Sequence, residues 1–300
     1  MNHQVIDMHV HSNKSDGRES VAEVFAAAAA AGVSTLALTD HDTTSGWPEA
    51  RELAAKHRIG FVPGIEVTTR ARVFDANGQE RRFGVHMLAY LPDPNNAALA
   101  AALAESVQSR EVRLREIVEK IANDFDVSWA DVEAELTEGA TAGRPAVADA
   151  LIARGHFINR GEVFEKVLYK GGPYYVPNRG VPETKAAIRL IREAGGVPVI
   201  AHPMARGGGP KPGEPFPVDH FEDMIAEGLA GFEVYHRDVA PEVREWLLGL
   251  ATKHDLVITG SSDYHGATGK PNLLGENTTS PEMLERILDQ GQGSVPLLFD

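Results

Sequence analysis

Short apolar runs alternate with amphipathic stretches through the first third of the chain. The apolar runs predict four strands, at residues 5–10, 35–39, 61–69 and 84–91. A capping box formed by Ser20 and Glu23 predicts a helix that stops at Gly32, and a second helix is expected up to about His57. The turn-forming residues 75–78 suggest a hairpin between the third and fourth strands. This βα rhythm is typical of a parallel sheet or barrel.

The rhythm breaks at about residue 95 and returns at about residue 177. Between these points helical patterns cover residues 97–125 and begin again near Ser128, Arg144 and Arg160. The later part predicts strands at residues 197–201, 231–235 and 256–260, with helices at 182–194, 239–253 and 281–290. We therefore expect a barrel whose first part is residues 1–94 and whose second part is residues 177–300. Residues 95–176 would form a helical insertion or cap.

Composition narrows the classes of protein that fit this pattern. The 300 residues are 43% hydrophobic, which is enough for one large core, and the formal net charge is -14. Such an acidic chain is not expected to wrap duplex DNA, since its surface repels phosphate at long range. No cysteine is present, so a metal would need nitrogen and oxygen ligands. With no apolar run long enough to span a bilayer and no targeting segment in the sequence, a cytoplasmic location is expected.

Histidines and carboxylates stand where the predicted strands end. His9 and His11 are two residues apart on a strand, so they point to the same face, and Asp263 and His265 repeat this spacing near the other end of the chain. The apolar neighbours of His9 would otherwise bury unpaired imidazoles. Because the carboxyl ends of barrel strands meet at one mouth, these side chains are expected to converge as metal ligands.

Other polar residues at strand ends leave alternatives open. Glu66 ends an apolar strand, where a carboxylate is costly unless it is paired or bound to metal. Asp40 fits either a ligand or a carboxylate that orients a metal-bound histidine. His86 could also be a satisfied core histidine, whereas the Pro203 turn directly after His202 favours a ligand. Asp16 alone would pass as a turn residue.

Taken together, these residues closely resemble the motifs of the PHP family, the polymerase and histidinol phosphatase domain, which contains metal-dependent phosphoesterases. The matching segments are Asp7-x-His9-x-His11-Ser12, Ser15-Asp16-Gly17, Thr39-Asp40-His41-Asp42-Thr43, Gly64-Ile65-Glu66, His86, Ala201-His202-Pro203 and Ser262-Asp263-Tyr264-His265-Gly266. The resemblance implies a distorted (β/α)7 TIM-like barrel and two or three divalent ions, with manganese expected and iron, zinc or magnesium as alternatives.

The resemblance also implies how nine side chains would share the ions. One ion would bind His9, His11, Glu66 and Asp263. Glu66 would bridge to a second ion, held with His86 and His202. The third would bind Asp16, His41 and His265. A hydroxide bridging the metals is implied as the nucleophile, with Glu66 as the bridging catalytic residue and His202, Asp40 or His236 assisting the leaving group.

Within this family the helical insertion most resembles the short branch that acts on nucleotides. This branch implies removal of the 3'-phosphate from nucleoside 3',5'-bisphosphates, with 5'-to-3' trimming of short RNA as a related activity. Arg144 stands at a helix start and would suit a grip on phosphate, with His202, His236 and Lys170 as further substrate-binding candidates. The glycine-rich loop at residues 207–211 lacks the Gly-Lys-Ser/Thr ending of a phosphate-binding loop and is read as a rim loop.

Three rival functions remain open. Another phosphomonoesterase, such as histidinol phosphatase, would use the same metals. An amidohydrolase is also a metal barrel that begins with His-x-His, but ligands on the second and third strands fit it poorly. A metal-binding scaffold without turnover is the alternative outside enzymes. The sequence does not fix the oligomeric state or the base preference.

Overall fold

One seven-stranded sheet organises the protein. The computed structural model describes residues 4–74, 79–137, 139–205 and 216–299. The strands in these residues are β1 (Ile6–Val10), β2 (Thr35–Leu38), β3 (Gly60–Phe74), β4 (Glu80–Tyr90), β5 (Val197–Ile200), β6 (Gly231–Tyr235) and β7 (Val257–Gly260). The helices are α1 (Val21–Ala30), α2 (Trp47–His57), α3 (Ala97–Ile121), α4 (Trp129–Ala134), α5 (Arg144–Ala153), α6 (Arg160–Lys166), α7 (Thr184–Glu193), α8 (Val218–Ala226), α9 (Pro241–Lys253) and α10 (Pro281–Gln290).

The strands follow one another in chain order from β1 to β7. Neighbours are parallel except around β4, which is antiparallel to both β3 and β5. The edges of the sheet approach each other, since Val10 after β1 forms a parallel bridge with Tyr264 and the His11 N–H donates to the Tyr264 carbonyl at 2.9 Å. The result is the expected distorted seven-stranded α/β barrel, which is open where β1 meets the segment after β7.

The antiparallel hairpin of β3 and β4 accounts for the irregular strand direction. Its pairing runs from Gly64 with Tyr90 to Phe74 with Glu80, so both strands extend well beyond the ends predicted from sequence. The predicted hairpin is therefore confirmed, while its turn at residues 75–78 lies outside the described residues. The glycine-rich loop at residues 207–211 also lies outside them.

Apolar residues of the strands and the surrounding helices form the barrel core. One buried cluster joins β-strands to α1, α2, α7, α8 and α9, and another joins strand residues to Leu284 and Ile287 of α10. The Ser20 capping box is present at the start of α1, as its side chain accepts from the Glu23 N–H and the Glu23 carboxylate accepts in return. The pattern of short buried strands and amphipathic helices thus folds as the sequence predicts, except for α8, which was not predicted.

A second hydrophobic core lies in the insertion. α3 starts on the barrel, where Leu99 and Leu103 belong to the barrel cluster, and ends among residues of α5 and α6. At 25 residues α3 is about 37 Å long, and it ends at Ile121 rather than at the predicted residue 125. Asn123, Asp124 and Phe125 instead form a turn that leads to α4. These helices therefore pack as a small helical body, which meets the barrel through α3 and through hydrogen bonds such as that of the Thr141 N–H to the Lys14 carbonyl.

Candidate metal centre

The predicted ligand residues come together at the end of the sheet where the parallel strands finish. His9 lies in β1 and Glu66 in β3, while His41 lies three residues after the end of β2. A parallel bridge pairs His41 with Glu66, and the bridge of Val10 with Tyr264 sets the segment after β7 beside His11. The backbone pairing of the barrel thus fixes the relative positions of the side chains.

Four buried side chains form the most compact group. The Nε2 atoms of His9 and His11 lie 3.2 and 3.0 Å from Glu66 Oε2, and 3.5 and 3.4 Å from Asp263 Oδ1. The same two nitrogens are 3.0 Å apart. All four residues have at most 1% of their surface exposed. This is the ligand set that the resemblance gives for the first ion.

Three further histidines surround Glu66. Its Oε1 lies 2.7 Å from His86 Nδ1 and 3.1 Å from His202 Nε2, and its Oε2 lies 3.3 Å from His41 Nδ1. Both carboxylate oxygens are therefore shared between different histidines. A carboxylate placed in this way can bridge two ions, and His41, Glu66 and His86 form a second compact ligand group.

Asp16 lies close to another set of imidazoles, and it faces Nδ1 of His11 rather than Nε2. Its carboxylate oxygens lie 3.1 Å from His265 Nε2, 3.7 Å from His11 Nδ1 and 3.8 Å from His41 Nε2. Asp16, His11 and His41 offer a third group of ligand atoms within 4.8 Å of one another. Thus His41 faces both Glu66 and Asp16, whereas the resemblance assigns it to the Asp16 ion alone.

The unpaired atoms of this cluster fit divalent cations. Asp16 Oδ1, His41 Nδ1 and His265 Nε2 are buried, and although each has a polar neighbour at 3.1 or 3.3 Å, none forms a hydrogen bond of suitable geometry among the described residues. Unpaired buried polar atoms are costly, and an ion in contact with them would remove that cost. The donors are imidazole nitrogens and carboxylate oxygens, a set that suits manganese, iron or zinc.

The charges of the cluster are arranged for cation binding. Burial alone would raise the pKa of Glu66, but the imidazoles of His41, His86 and His9 hold it well below its usual range. Burial would lower the pKa of His11, but hydrogen bonds to Asp263 and Glu66 and the charge of Glu66 raise it to about 9. The carboxylates therefore stay ionised at neutral pH, and His11 has a proton that a bound cation must displace.

A buried carboxylate that the sequence analysis did not assign, Glu233 of β6, supports two of the histidines. Its Oε1 lies 3.0 Å from His9 Nδ1, and its Oε2 accepts the backbone N–H of His202 at 2.6 Å. His202 has φ of +30°, which a non-glycine residue rarely adopts. Glu233 therefore orients one imidazole and stabilises the strained backbone of another. Its position between apolar Phe232 and Val234 was the available signal.

Asp40 lies apart from the three ligand groups. Its oxygens accept hydrogen bonds from the Ser12 backbone N–H at 2.8 Å, the Ser12 hydroxyl at 2.7 Å and the Ser15 hydroxyl at 2.6 Å. Ser15 Oγ is in turn 3.3 Å from His11 Nδ1. This geometry matches the alternative in which Asp40 orients a ligand through its neighbours, and a direct catalytic role stays a prediction.

His236 is buried beneath the cluster, although the sequence analysis expected it to contact substrate. Its Nε2 lies 3.6 Å from Asp263 Oδ2, and its Nδ1 accepts the Asp238 N–H at 3.1 Å. The side chain has no exposed surface and does not line the cavity in front of the cluster. Its predicted contact with substrate is not seen in this geometry and stays a prediction.

A cavity of about 510 Å³ opens in front of the ligand groups. Asp16, His41, Glu66, His86, His202, Asp263 and His265 line it on the barrel side. The insertion and the loops opposite contribute six cationic side chains, namely Arg110, Arg113, Arg144, Arg160, Arg237 and Lys270. Four of the six contact carboxylates, namely those of Asp42, Asp149, Glu276 and Asp263. The cavity wall thus combines guanidinium and ammonium groups with the ligand cluster, an arrangement suited to a small anionic ligand.

The predicted phosphate-binding residues differ in how close they lie to this cavity. Arg144 lines it, donates to the Leu168 carbonyl at 3.2 Å and lies over the Phe164 ring at 5.4 Å. Lys170 is exposed, and its ammonium lies 5.6 Å from the centre of the Phe83 ring, outside the lining of the cavity. The substrate-binding assignment of Lys170 stays a prediction.

Two cavity arginines on α3 were missed by the sequence analysis. Arg110 donates to Asp42 Oδ2 at 2.8 Å and to the Thr68 hydroxyl, so the barrel holds it in place. Arg113 donates to the Val176 carbonyl at 2.8 Å, and burial together with the charges of Arg144 and Arg110 lowers its pKa to about 10. Their spacing of three residues puts them on one face of α3, but the sequence alone does not show which face meets the barrel.

This fold and site define a class of protein, the metal-dependent hydrolases built on an α/β barrel. Within the class, the chain belongs to the PHP domain family, whose model matches residues 7–140, and it is a metal-dependent phosphoesterase. In the described part of the chain no helix is both long and apolar enough to cross a membrane.

Several known proteins are similar over most of their length. A phosphoribosyl 1,2-cyclic phosphate 1,2-diphosphodiesterase of Eggerthella lenta is 31% identical over 90% of this chain and 97% of its own. A 3',5'-nucleoside bisphosphate phosphatase of Chromobacterium violaceum is 32% identical over 87% of each chain. A 5'-3' exoribonuclease of Haemophilus influenzae is 31% identical over 88% of this chain and 90% of its own.

A solved structure confirms the fold. The protein of Bifidobacterium adolescentis, provisionally named a metal-dependent phosphoesterase, superposes with a TM-score of 0.86. It is 38% identical, and the match covers 96% of this chain and 97% of that one. The likeness therefore includes the insertion as well as the barrel.

Proposed function

We propose that this phosphoesterase hydrolyses the 3'-phosphate ester of ribonucleotides that also carry a 5'-phosphate, such as nucleoside 3',5'-bisphosphates, and releases a 5'-nucleotide. The observation that carries the proposal is the pairing of two charged regions in one cavity. The metal-ligand cluster would receive the phosphate that reacts, and the arginines of the insertion would hold the phosphate that stays.

The insertion arginines suit a phosphate that is bound but does not react. Arg113 is partly buried, and its side-chain hydrogen bond goes to a neutral carbonyl, that of Val176. Burial lowers its pKa, and Arg144 and Arg110 lower it further because they bring like charge close to it. A doubly charged phosphate among these guanidiniums would offset their mutual repulsion and accept several hydrogen bonds.

Divalent ions in the cluster would polarise the reacting ester and lower the pKa of a water molecule. The chain itself would orient the ligands through Glu233 and Asp40. Lys270 would lie beside the phosphate that reacts, and Arg144 would face the phosphate that stays. Lys270 donates to Asp263 Oδ2 at 2.7 Å at the cavity wall. His202 lines the cavity, and burial lowers its pKa, so its neutral ring suits ion binding better than proton donation.

The names of the similar proteins support a ribose that carries two phosphate groups. A nucleoside 3',5'-bisphosphate and a phosphoribosyl 1,2-cyclic phosphate both fit that description. The cyclic compound is therefore the second candidate substrate. Histidinol phosphate carries one phosphate and would offer Arg113, whose side chain donates to the neutral Val176 carbonyl, no second phosphate to bind.

The test compares adenosine 3',5'-bisphosphate with adenosine 3'-monophosphate, using protein loaded with Mn²⁺. AMP and free phosphate are expected from the bisphosphate, with a higher kcat/KM than for the monophosphate. Arg113→Ala or Arg144→Ala should lower kcat/KM for the bisphosphate by about tenfold or more, because each removes a charge-assisted hydrogen bond. Neither should change kcat/KM for p-nitrophenyl phosphate by more than about twofold.

Arg115→Ala is the matched control, since Arg115 lies on the same helix but is exposed and pairs with Glu111. Equal loss on all three substrates in the Arg113 and Arg144 variants would contradict the proposed role of the insertion. Faster hydrolysis of the cyclic compound than of the bisphosphate would select the second candidate. Ammonia release from amides without any phosphate release would overturn the proposal in favour of an amidohydrolase.

A further inference from the structure

Lys270 is the single lysine among the described residues that line the cavity. Its ammonium donates to Asp263 Oδ2 at 2.7 Å, and 28% of its side chain is exposed. The other oxygen of this carboxylate, Oδ1, lies 3.5 and 3.4 Å from the Nε2 atoms of His9 and His11. Lys270 therefore lies where the most compact ligand group meets the open cavity.

The segment that carries Lys270 is held close to the ligands that follow β7. Asn272 Nδ2 donates to the Ser262 carbonyl at 2.6 Å, and the Asn272 side chain is buried. A Cβ at Gly269 would lie 2.1 Å from the His265 carbonyl oxygen, so only glycine allows this close approach of the two segments. The backbone on both sides of Lys270 is thus fixed, and this limits where the ammonium can lie.

The other groups of the cavity are poorly suited to giving a proton to a leaving oxygen. The imidazoles that line it belong to the ligand groups or face their carboxylates, and bound ions would replace the protons on the nitrogens concerned. The guanidinium groups do not give up their protons. Neither His236 nor Asp40 lines the cavity, and Asp40 accepts hydrogen bonds from Ser12 and Ser15. An ammonium group can both donate a hydrogen bond and transfer its proton.

We infer that Lys270 is a catalytic residue that donates a hydrogen bond, and then a proton, to the oxygen that leaves phosphorus. The inference rests on the proposed function, in which that oxygen is O3' of the ribose. Water adds to phosphorus and loses a proton to solvent, and the bond from phosphorus to O3' breaks with its electron pair going to oxygen. O3' takes the ammonium proton, and the neutral amine regains a proton from solvent. The products are the 3'-alcohol and inorganic phosphate, and Asp263 Oδ2 holds the amine in place.

The experiment compares leaving groups, using the Mn²⁺-loaded protein. Adenosine 3',5'-bisphosphate must release an alkoxide, whereas phenyl phosphate and p-nitrophenyl phosphate release phenolates that need a proton progressively less. Lys270→Met should lower kcat/KM for the bisphosphate about 100-fold or more, the usual size of the loss of a general acid. The loss on p-nitrophenyl phosphate should be at least about tenfold smaller, with phenyl phosphate in between.

Lys270→Arg separates the proton from the positive charge. A guanidinium keeps the charge beside Asp263 but does not give up a proton. This variant should therefore lower kcat/KM for the bisphosphate by about tenfold or more. Wild-type activity of Lys270→Arg on the bisphosphate would show that the charge is sufficient and would overturn the inference.

Lys185→Met is the matched control, because Lys185 is exposed and contacts Asp223 at 2.7 Å, away from the cavity. It should leave kcat/KM for all three substrates within about twofold of the wild-type value.

Calorimetry with Mn²⁺ shows whether Lys270 acts on the substrate or only through Asp263. Mn²⁺ affinity of Lys270→Met should be equal to that of the wild type or higher, because the variant removes a cation beside a ligand carboxylate. The same titration shows that the variant is folded. Weaker Mn²⁺ binding together with an equal loss on all three substrates would assign Lys270 to the orientation of Asp263 and overturn the inference.

The wild-type protein separates this inference from the proposed function. Hydrolysis of all three substrates with equal losses in Lys270→Met would overturn the inference and leave the proposed function standing. Hydrolysis of the two aryl phosphates without the bisphosphate would overturn the proposed function, and the comparison of these two esters would then decide the role of Lys270. Hydrolysis of none of the three would overturn both.

Discussion

Glu66 shows how one residue links the fold to the chemistry. Its backbone belongs to β3 and pairs with His41, and its two carboxylate oxygens face imidazoles from four other strands or the segments that follow them. A buried glutamate in an apolar strand is costly without such partners, which is why the sequence predicts a functional role for it. The same reasoning applies to Glu233, whose two oxygens serve His9 and the backbone of His202.

The variant Glu233→Gln tests whether Glu233 determines which ring nitrogen of His9 carries the proton. In Glu233→Gln the amide oxygen can still accept the His202 N–H, but the amide N–H₂ then faces His9 Nδ1. That nitrogen would have to accept, which moves the His9 proton to Nε2, the atom that faces Glu66. Metal affinity should therefore fall about 10- to 100-fold, as is typical when a partner that orients a ligand is lost.

Titration calorimetry with Mn²⁺ measures this change directly, and thermal unfolding of the metal-free protein serves as the structural check. Glu111→Gln, an exposed change on α3, is the matched control. Wild-type metal affinity in Glu233→Gln would show that Glu233 acts only in packing.

At the scale of elements, the sequence could predict the strands, helices and ligand positions that follow from the local pattern of apolar and polar residues. The strand ends follow from short apolar runs, and His9 and His11 follow from a spacing of two on one of them. The insertion could be recognised as helical, but its contribution to the site could not. Arg110 and Arg113 look like ordinary charged residues of an amphipathic helix, and the packing of α3 against the barrel decides that they face the cavity. Tertiary contacts of this kind leave no periodic signal in the sequence.

The insertion is fastened to the metal centre through Asp149 of α5. This buried carboxylate accepts from Arg18 and from Arg160 of α6, with Arg160 Nε at 2.8 Å. Arg160 also donates to the carbonyl of Asp16 at 3.3 Å, and the Thr141 N–H donates to the Lys14 carbonyl at 2.9 Å. The loop that carries Asp16 is therefore held between the barrel and the insertion.

Asp149→Asn should destabilise the protein because two guanidiniums lose their shared counter-charge. We expect a loss of about 2–4 kcal/mol in the free energy of unfolding, at the lower end of this range if solvent screens the partly exposed Arg18. Urea unfolding measures the loss. Asp126→Asn removes an exposed partner of Arg154 and should cost about 0.5 kcal/mol or less. If the two variants are equally stable, Asp149 does not fasten the insertion.

At the scale of the whole molecule, an acidic protein binds an anionic substrate by separating its charges. The barrel mouth concentrates carboxylates and imidazoles for cations, and the insertion supplies arginines across a single cavity. The formal net charge of -14 is therefore a poor guide to the charge inside the site. The site as a whole becomes suited to phosphate only when the cation charge is added, so metal binding and substrate binding should be coupled.

Proton release should accompany metal binding, and its pH dependence has a definite sign. In the metal-free protein burial would lower the pKa of His11, but its bonds to Asp263 and Glu66 raise it to about 9. An ion must displace this proton, so apparent Mn²⁺ affinity should rise with pH, by about tenfold per unit for each proton released. The part of the rise that is due to His11 should level off above about pH 9, its folded-state pKa. Calorimetry in buffers of different ionisation enthalpy counts the protons.

The raised pKa of His11 also contributes to the pH dependence of the stability of the metal-free protein. His11 has a raised pKa in the folded protein, so it stabilises the fold fully below its unfolded pKa of 6.5. This contribution to stability is lost as the pH rises towards about 9. The melting temperature of the metal-free protein should therefore fall over this interval, whereas the Mn²⁺-loaded protein should be less sensitive because the ion has replaced the proton. Metal affinity that stays constant between pH 6 and 9 would contradict a protonated His11 and, with it, the close carboxylate contacts on which the ligand cluster is built.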